Sequence, residues 1–403
     1  MLHIRYGLPL AVILGLSACA GSPDAADDDP APNALEGAEL TADEMAAYVP
    51  PTGAVFNRPT AAGAGAENAI QNHLIALIDH VPAGAEIRVV MYTWREAPVA
   101  DALIRAHARG ARVKVLMNNA TDGDSTAMFD KLRAALGNYG ASAPSWGAQC
   151  KRGWGCLGTG INHNKFFLFS QVGETKNVVV QSSANLTHDN RVKFWNNAYT
   201  TADQGLYGLY SKYFTRLTAG ITRTSTPPND AYTAENAGAY KLYTFPRAGS
   251  TSSSDTIVNV LENVTCSTDP SSRTRIRVAV LQLYRPAVAS KLVALKNQGC
   301  QVYLAYESFD AGVDDIVRNK LTGIRHCAGD KTVHSKYLLI EAGAGSYAGE
   351  KGAKLVFTGS HNYSPNSLRN NDETILRVDN ANVYQQYEDN FDEGVFASCP
   401  AWP

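Results

Sequence analysis

The sequence predicts an α/β protein built from two similar halves, each a mixed, mostly parallel sheet flanked by helices. Three observations carry that expectation. A strand–helix–strand pattern occurs twice. The second copy aligns on the first without a gap, 189 positions later, and each copy is followed by two further apolar strands that end in small polar turns. At 403 residues the chain has room for two halves of about 150–200 residues each. With 45% hydrophobic and 18% charged residues, each half can bury a sizeable core.

The N-terminus reads as an export segment. Arg5 supplies a positive charge ahead of an apolar run at residues 8–16, too short to span a bilayer as a helix. Leu16-Ser17-Ala18-Cys19 fits a bacterial lipobox, which makes Cys19 a lipid anchor. Ala18-Cys19-Ala20 alternatively fits a small-x-small cleavage site, giving a freely secreted protein. Residues 1–20 are therefore expected to be a signal peptide, and the protein an outer-membrane or cell-surface lipoprotein or else secreted. Residues 21–49, rich in Ala, Asp, Pro and Gly, read as a flexible linker.

The first repeated unit begins with an apolar strand at residues 87–92. Val99, Leu103, Ile104 and His107 follow at helical spacing, then Gly110 where a helix C-cap belongs, then a strand at 113–116. The second unit has a strand at 276–280, helical spacing through Val288, Leu292, Val293 and Leu295, then Gly299 and a strand at 302–304. Such units imply parallel pairing and a right-handed crossover. Between them, residues 222–254 hold Pro227-Pro228 and Ser252-Ser253-Ser254 and read as a linker. The halves are then residues 50–221 and 255–403.

Beyond Cys19 the cysteines are Cys150, Cys156, Cys266, Cys300, Cys327 and Cys399, and in an exported protein six suggest three disulfides. The short loop favours Cys150–Cys156, with Cys300–Cys327 and Cys266–Cys399 completing the expected set. No pair has C-x-x-C spacing, so a metal centre is not expected.

The chemistry-bearing residues follow each repeated unit. His163-Asn164-Lys165 precedes the apolar Phe166-Phe167-Leu168-Phe169, and His334-Ser335-Lys336 precedes Tyr337-Leu338-Leu339-Ile340. Residues two apart on a strand share a face, so each His sits beside its Lys. A lysine opening a buried strand needs an anion or a partner. Each half then offers a strand ending in a small polar turn: Ser182-Ser183-Ala184-Asn185 in the first, Gly359-Ser360-His361-Asn362 in the second. Small residues allow close backbone approach, and hydroxyl and amide groups suit phosphate oxygens.

His-x-Lys followed by a strand and Gly/Ser-Ser-x-Asn, twice in one chain, resembles the phospholipase D superfamily with its paired HKD motifs. The resemblance spans residues 65 to 396. It implies one active site at the interface of two pseudo-symmetric halves, in a single chain expected to be monomeric and to need no cofactor. The sequence departs from the family pattern in several places. The Asp five positions after each Lys is Ser170 in the first half and Glu341 in the second. Asp372-Glu373 supplies the later acidic position of the second half, whereas the first half has Trp195-Asn196-Asn197 there. That leaves the orienting partner of His163 unassigned, with Ser170 and Asn197 as the changed positions.

By resemblance, His163 is the nucleophile and His334 the general acid, although nothing local prevents the reverse. Lys165, Lys336, Asn185 and Asn362 hold phosphoryl oxygens, and Ser183, Ser360 and Glu373 line the substrate site. A phosphodiester repels a nucleophile until its charge is neutralised, which these cations and amides do. A net charge of −2 argues against a chain devoted to gripping nucleic acid. Trp146, Trp154 and Trp195 near the first motif suit a membrane interface if exposed. The expected reaction is phospholipid hydrolysis to phosphatidic acid and a headgroup alcohol. Nucleic-acid cleavage on Lys151-Arg152, or a binding role without turnover, are the alternatives.

Overall fold

In a computed structural model, residues 40–63, 65–119 and 122–402 are described. The expected signal peptide, Cys19 and most of the 21–49 linker lie outside them. The last part of that linker is folded. Ala42–Ala47 is a helix closed by a capping box between Thr41 and Glu44, and the Tyr48 ring stacks on His80 at 3.9 Å.

Each repeated unit folds as the sequence predicts. Glu86–Met91, the helix Pro98–Ala108 and Arg112–Met117 form the first, and Arg275–Leu283, the helix Pro286–Asn297 and Gln301–Phe309 the second. Gly110 and Gly299 take left-handed φ of 97° and 102° after their helices, which a side chain would resist. Ile87 pairs with Val113 and Ile276 with Val302, so the two units share one register.

The first sheet runs Gly53–Asn57, Phe194–Ala202, Thr175–Ser182, Lys165–Val172, Glu86–Met91, Arg112–Met117, Trp146–Gln149. The second runs Gly323–His326, Gln301–Phe309, Arg275–Leu283, Lys336–Glu341, Lys354–Gly359, Thr374–Asp379, Tyr240–Thr244, Thr233–Ala237. The helix-linked strands pair in parallel, but the motif strands and those beyond them are antiparallel. The expectation of mostly parallel sheets therefore fails, because these later strands return through loops instead of crossover helices. Gly173-Glu174, for example, is a two-residue turn with Val172 facing Thr175.

Residues 222–254, read as a linker, contribute Thr233–Ala237 and Tyr240–Thr244 as the outer strands of the second sheet. Three disulfides close the described chain: Cys150–Cys156, Cys266–Cys300 and Cys327–Cys399. The first matches expectation. The other two replace Cys300–Cys327 and Cys266–Cys399. Cys300 stands just before the first residue of the strand Gln301–Phe309, where Gly299 lies against Thr268 near Cys266. Cys327 sits toward the strand's other end, its amide donating to the Tyr306 carbonyl.

One apolar cluster belongs to each half, and a third is shared. The shared cluster joins Phe166, Leu168, Tyr210 and Tyr213 to Tyr337, Leu339, Val356, Tyr384 and Tyr387. The last helix of each half, Gln204–Ala219 and Ala381–Asp389, supplies its tyrosines to this cluster. Burying that surface fixes the two motif strands against each other.

Candidate active site

Each His-x-Lys segment is docked on the opposite half. The His163 amide donates to the Asp372 carbonyl at 2.9 Å, and Asn162 bridges Asp372. On the other side Thr332–Val333 pairs in parallel with Phe194-Trp195, and the amides of His334 and Ser335 both donate to the Trp195 carbonyl. The segment that follows each small polar turn therefore serves the histidine of the other half.

The ring contacts follow the same exchange. His163 Nδ1 lies 2.9 Å from Glu373 Oε2, and His334 Nδ1 lies 2.9 Å from Asn196 Oδ1. Ser360 Oγ donates to Glu373 Oε2 at 2.5 Å, and Ser183 Oγ donates to Asn196 Oδ1 at 2.9 Å. In each half the serine and the group it braces are 13 positions apart. The partner that the sequence left open for His163 is thus Glu373, and the first half's missing carboxylate is felt at His334. The changed position is Asn196. Asn197 instead bonds Thr358 and Tyr387 through its Nδ2.

Glu373 is fully buried and braces a histidine, so its expected place on a substrate-lining surface is corrected. Ser183 and Ser360, also buried, brace the histidine partners. Ser170 and Glu341 lie away from both rings: Ser170 Oγ accepts from the Glu86 amide, and Glu341 pairs with Arg275.

Both lysines are buried. Lys165 Nζ donates to the His163 carbonyl at 2.6 Å, and Lys336 Nζ to the His334 carbonyl. Burial pushes Lys165 down to about 7, partly offset by Glu373. Lys336 is lowered well below its ordinary range by burial and then by Lys165. Burial opposes ionisation of Glu373, but His163, His361 and Lys165 outweigh it and hold the carboxyl at about 2. Burial brings His163 down to about 4 against the pull of Glu373. His334 is lowered well below its ordinary range by burial and then by Lys336, Lys165 and His163. The cross-half contacts of His163 with Glu373 and of His334 with Asn196 bring the motifs of both halves together in one site.

Hydrogen bonding fixes the tautomers. An ionised Glu373 only accepts, so His163 carries its proton on Nδ1 and leaves Nε2 bare. Asn196 Nδ2 donates to the Asn190 carbonyl at 3.0 Å, which turns its Oδ1 toward His334 and puts that proton on Nδ1 too. Asn185 and Asn362 stand in the turns after the bracing serines, and each has a buried Oδ1 without a partner.

Sequence reasoning missed several neighbours. Tyr92 packs edge-on against His163 with Lys165 Nζ 5.0 Å from its ring, and Phe194 stacks on His334. Tyr213 accepts from Asn164, and Gln181 reaches the Lys165 carbonyl. His361 is buried with neither ring nitrogen bonded. Among the described residues the aromatic rim expected from Trp146, Trp154 and Trp195 is not there: Trp146 and Trp195 are core residues, and of these three Trp154 alone is partly exposed, beneath Lys151. Among the described residues, Val49 is the exposed large apolar side chain.

The family profile described as cardiolipin synthase, PLD-like domain, matches residues 74–218 and 270–394, one span in each half. No curated protein matches the chain. Among solved structures, phosphatidylserine synthase from Haemophilus influenzae has a TM-score of 0.56 at 13% identity, covering 87% of each chain. Polyphosphate kinase from Porphyromonas gingivalis has a TM-score of 0.53 at 15% identity over 81% of this chain. The chain spans about half of that kinase, 48%. Nuc, a phospholipase D family member from Salmonella typhimurium, matches at 15% identity and TM-score 0.30, over 44% of this chain and 98% of its own. At these identities the likeness to the synthase and the kinase is one of fold.

Proposed function

Because this chain belongs to the phospholipase D superfamily, we propose that it is a phosphodiesterase that works through a phosphohistidine on His163 and takes phospholipid as its substrate. The observation that carries this reading is the His163–Glu373 pair. A histidine that is neutral above about pH 4, with Nδ1–H held by an ionised carboxylate, presents a bare Nε2 and gains charge stabilisation as it attacks.

Two buried lysines beside two histidines, with Glu373 as their nearby carboxylate, leave the site short of negative charge, and a phosphodiester supplies it. His163 Nε2 attacks phosphorus, the bond to the leaving alcohol oxygen breaks, and His334 delivers a proton to that oxygen. In the second half-reaction His334 takes a proton from water as the water oxygen attacks. The P–N bond breaks and returns its electron pair to His163. Lys165, Lys336, Asn185 and Asn362 hold the non-bridging oxygens throughout. His334 starts neutral and takes up a proton from solvent on Nε2 as the diester binds, since the diester's charge offsets the lysines that oppose its protonation; this is the proton it passes to the leaving oxygen.

The cardiolipin synthase description of the family supports lipid over nucleic acid, as does the net charge of −2. The tryptophans no longer do. A binding role without turnover loses its motive, since His163 has its carboxylate.

The test uses purified protein in EDTA with phosphatidylcholine vesicles and a primary alcohol, and in parallel with single-stranded DNA. Headgroup release with phosphatidyl-alcohol formation is expected, absent in His163→Ala and His334→Ala. DNA cleavage without lipid turnover would move the substrate to nucleic acid. Inactivity on both would overturn the phosphodiesterase reading for these substrates.

A further inference from the structure

The dipeptide Asp372-Glu373 holds His163 in more ways than orientation of its ring requires. Glu373 takes the Nδ1 contact, while the Asp372 carbonyl takes the His163 amide. The Asp372 side chain points elsewhere, to the point where the chain leaves the loop closed by Cys150–Cys156. There three successive amides converge on its carboxylate: Cys156 N–H on Oδ2 at 2.5 Å, Leu157 N–H on Oδ1 at 3.0 Å, and Gly158 N–H on Oδ1 at 2.8 Å. Successive amides aimed at one point make an anion cradle.

The loop is shaped for this contact. A Cβ on Gly155 would lie 2.7 Å from Asp372 Oδ2, and one on Gly158 2.0 Å from the Asn370 carbonyl. Gly160 N–H donates to that same carbonyl at 2.8 Å, and the Asp372 amide donates to the Ile161 carbonyl at 2.9 Å. At its other end the loop is tied to the first sheet, since the Cys150 amide donates to the Met117 carbonyl. Burial pushes the Asp372 carboxyl up to about 7, with the three amides pulling the other way.

Among the described residues the other half has no counterpart. The position matching Asp372 is Trp195, one residue before Asn196. Its carbonyl receives His334, but its indole is buried in the core with an unpaired Nε1. The cradle therefore accompanies the histidine that has a carboxylate, and is missing from the one that has an amide.

Resting on the phosphodiesterase reading, we propose that Asp372, seated in the amide cradle of the disulfide-closed loop, is a positioning residue for His163. It locks the start of the Thr374–Asp379 strand to the segment that carries the nucleophile. The lock keeps Glu373 and His163 in register while charge moves onto the ring. Asp372 touches no reacting atom and acts through its neighbours.

The test compares the full-length wild-type protein with Asp372→Asn and with the double variant Cys150→Ser, Cys156→Ser. Asparagine keeps one acceptor oxygen but replaces the other with an amide donor, which then faces at least one of the three N–H groups. The double variant opens the loop while leaving Asp372 in place. Turnover of bis(4-nitrophenyl) phosphate is measured with the imidazole resonances of ¹⁵N-labelled protein. A displacement of about 1 Å near a reacting group costs on the order of 100-fold, so kcat is expected to fall about 10–100-fold, with KM within about twofold. The Nδ1–H resonance of His163 should weaken or shift while that of His334 stays put, which general loosening would not produce. Both variants within twofold of wild-type kcat, with an unchanged His163 resonance, would overturn the proposal. So would equal disturbance of both histidines. A wild-type protein inert on the diester would sink the phosphodiesterase reading instead, and the His163 resonance alone would then decide the lock.

Discussion

The two half-sites match in framework and differ in charge. Ser183 and Ser360 brace their partners from the same offset, and the lysines fold back on equivalent carbonyls. Yet His163 meets a carboxylate and His334 an amide. The backbone of the duplication specifies where a histidine partner stands. One side-chain atom decides whether that partner stabilises an imidazolium. A carboxylate suits the ring that must carry positive charge when bonded to phosphorus. An amide fixes the tautomer of the other ring and leaves it a stronger acid once protonated.

The most severe way to break the comparison is to make both partners amides. In Glu373→Gln the His163 ring loses its counter-charge, and Asn371 Nδ2, which donates to Oε1, competes for the remaining acceptor. Removing the analogous carboxylate from a serine-protease triad lowers kcat about 10⁴-fold, and a loss of about 10³-fold or more is expected in headgroup release. Turnover within tenfold of wild type would show that His163 does not depend on this charge.

The converse change makes both partners carboxylates. In Asn196→Asp, His334 gains a negative charge at hydrogen-bond distance, which raises a pKa by about 1–3 units. In the wild type, activity should rise with pH through about 4 as His163 becomes neutral and fall above about 7 as Lys165 loses its proton. His334 must be protonated to act as the acid and is lowered below the ordinary histidine range, so it imposes a fall of its own at lower pH than Lys165 does and narrows the profile from the alkaline side. Asn196→Asp should carry the His334 contribution to higher pH and slow the alkaline fall. It also sets a carboxylate against the Asn190 carbonyl that Asn196 Nδ2 now satisfies, so melting should drop modestly. A pH profile that superposes on wild type would mean that His334 is not the group that sets that limb.

Much of this was legible in the sequence, for local reasons. Helical and alternating periodicities, Gly110 and Gly299, and the paired His-x-Lys segments are all short-range signals. Strand direction was less accessible, although Val172-Gly173-Glu174-Thr175 carries a hairpin signal that crossover reasoning overlooked. What could not be read was which half serves which histidine, because Glu373 reaches His163 across 210 positions. The equal spacing from Ser183 to Asn196 and from Ser360 to Glu373 was available, and it identifies Asn196 instead of Asn197 as the changed position. The disulfides beyond Cys150–Cys156 depend on tertiary neighbours in the same way. So does the burial of Trp146 and Trp195, which their chemistry alone left open.

The gentlest probe leaves both partners in place and removes the hydroxyls that brace them. Ser360 donates to a charged oxygen and Ser183 to a neutral one, so equal deletions should have unequal effects. A hydrogen bond to a charged group contributes about 1.5–3 kcal/mol and a neutral one about 0.5–1.5 kcal/mol. Ser360→Ala should therefore lower kcat about 10–100-fold and Ser183→Ala less than about tenfold. Each serine also accepts a backbone amide, Thr374 for Ser360 and Asn197 for Ser183, so that common loss cancels between them. If the order reverses, or if Asn196→Asp fails to bring the Ser183→Ala deficit up toward that of Ser360→Ala, then the charge of the partner is not what separates the half-sites.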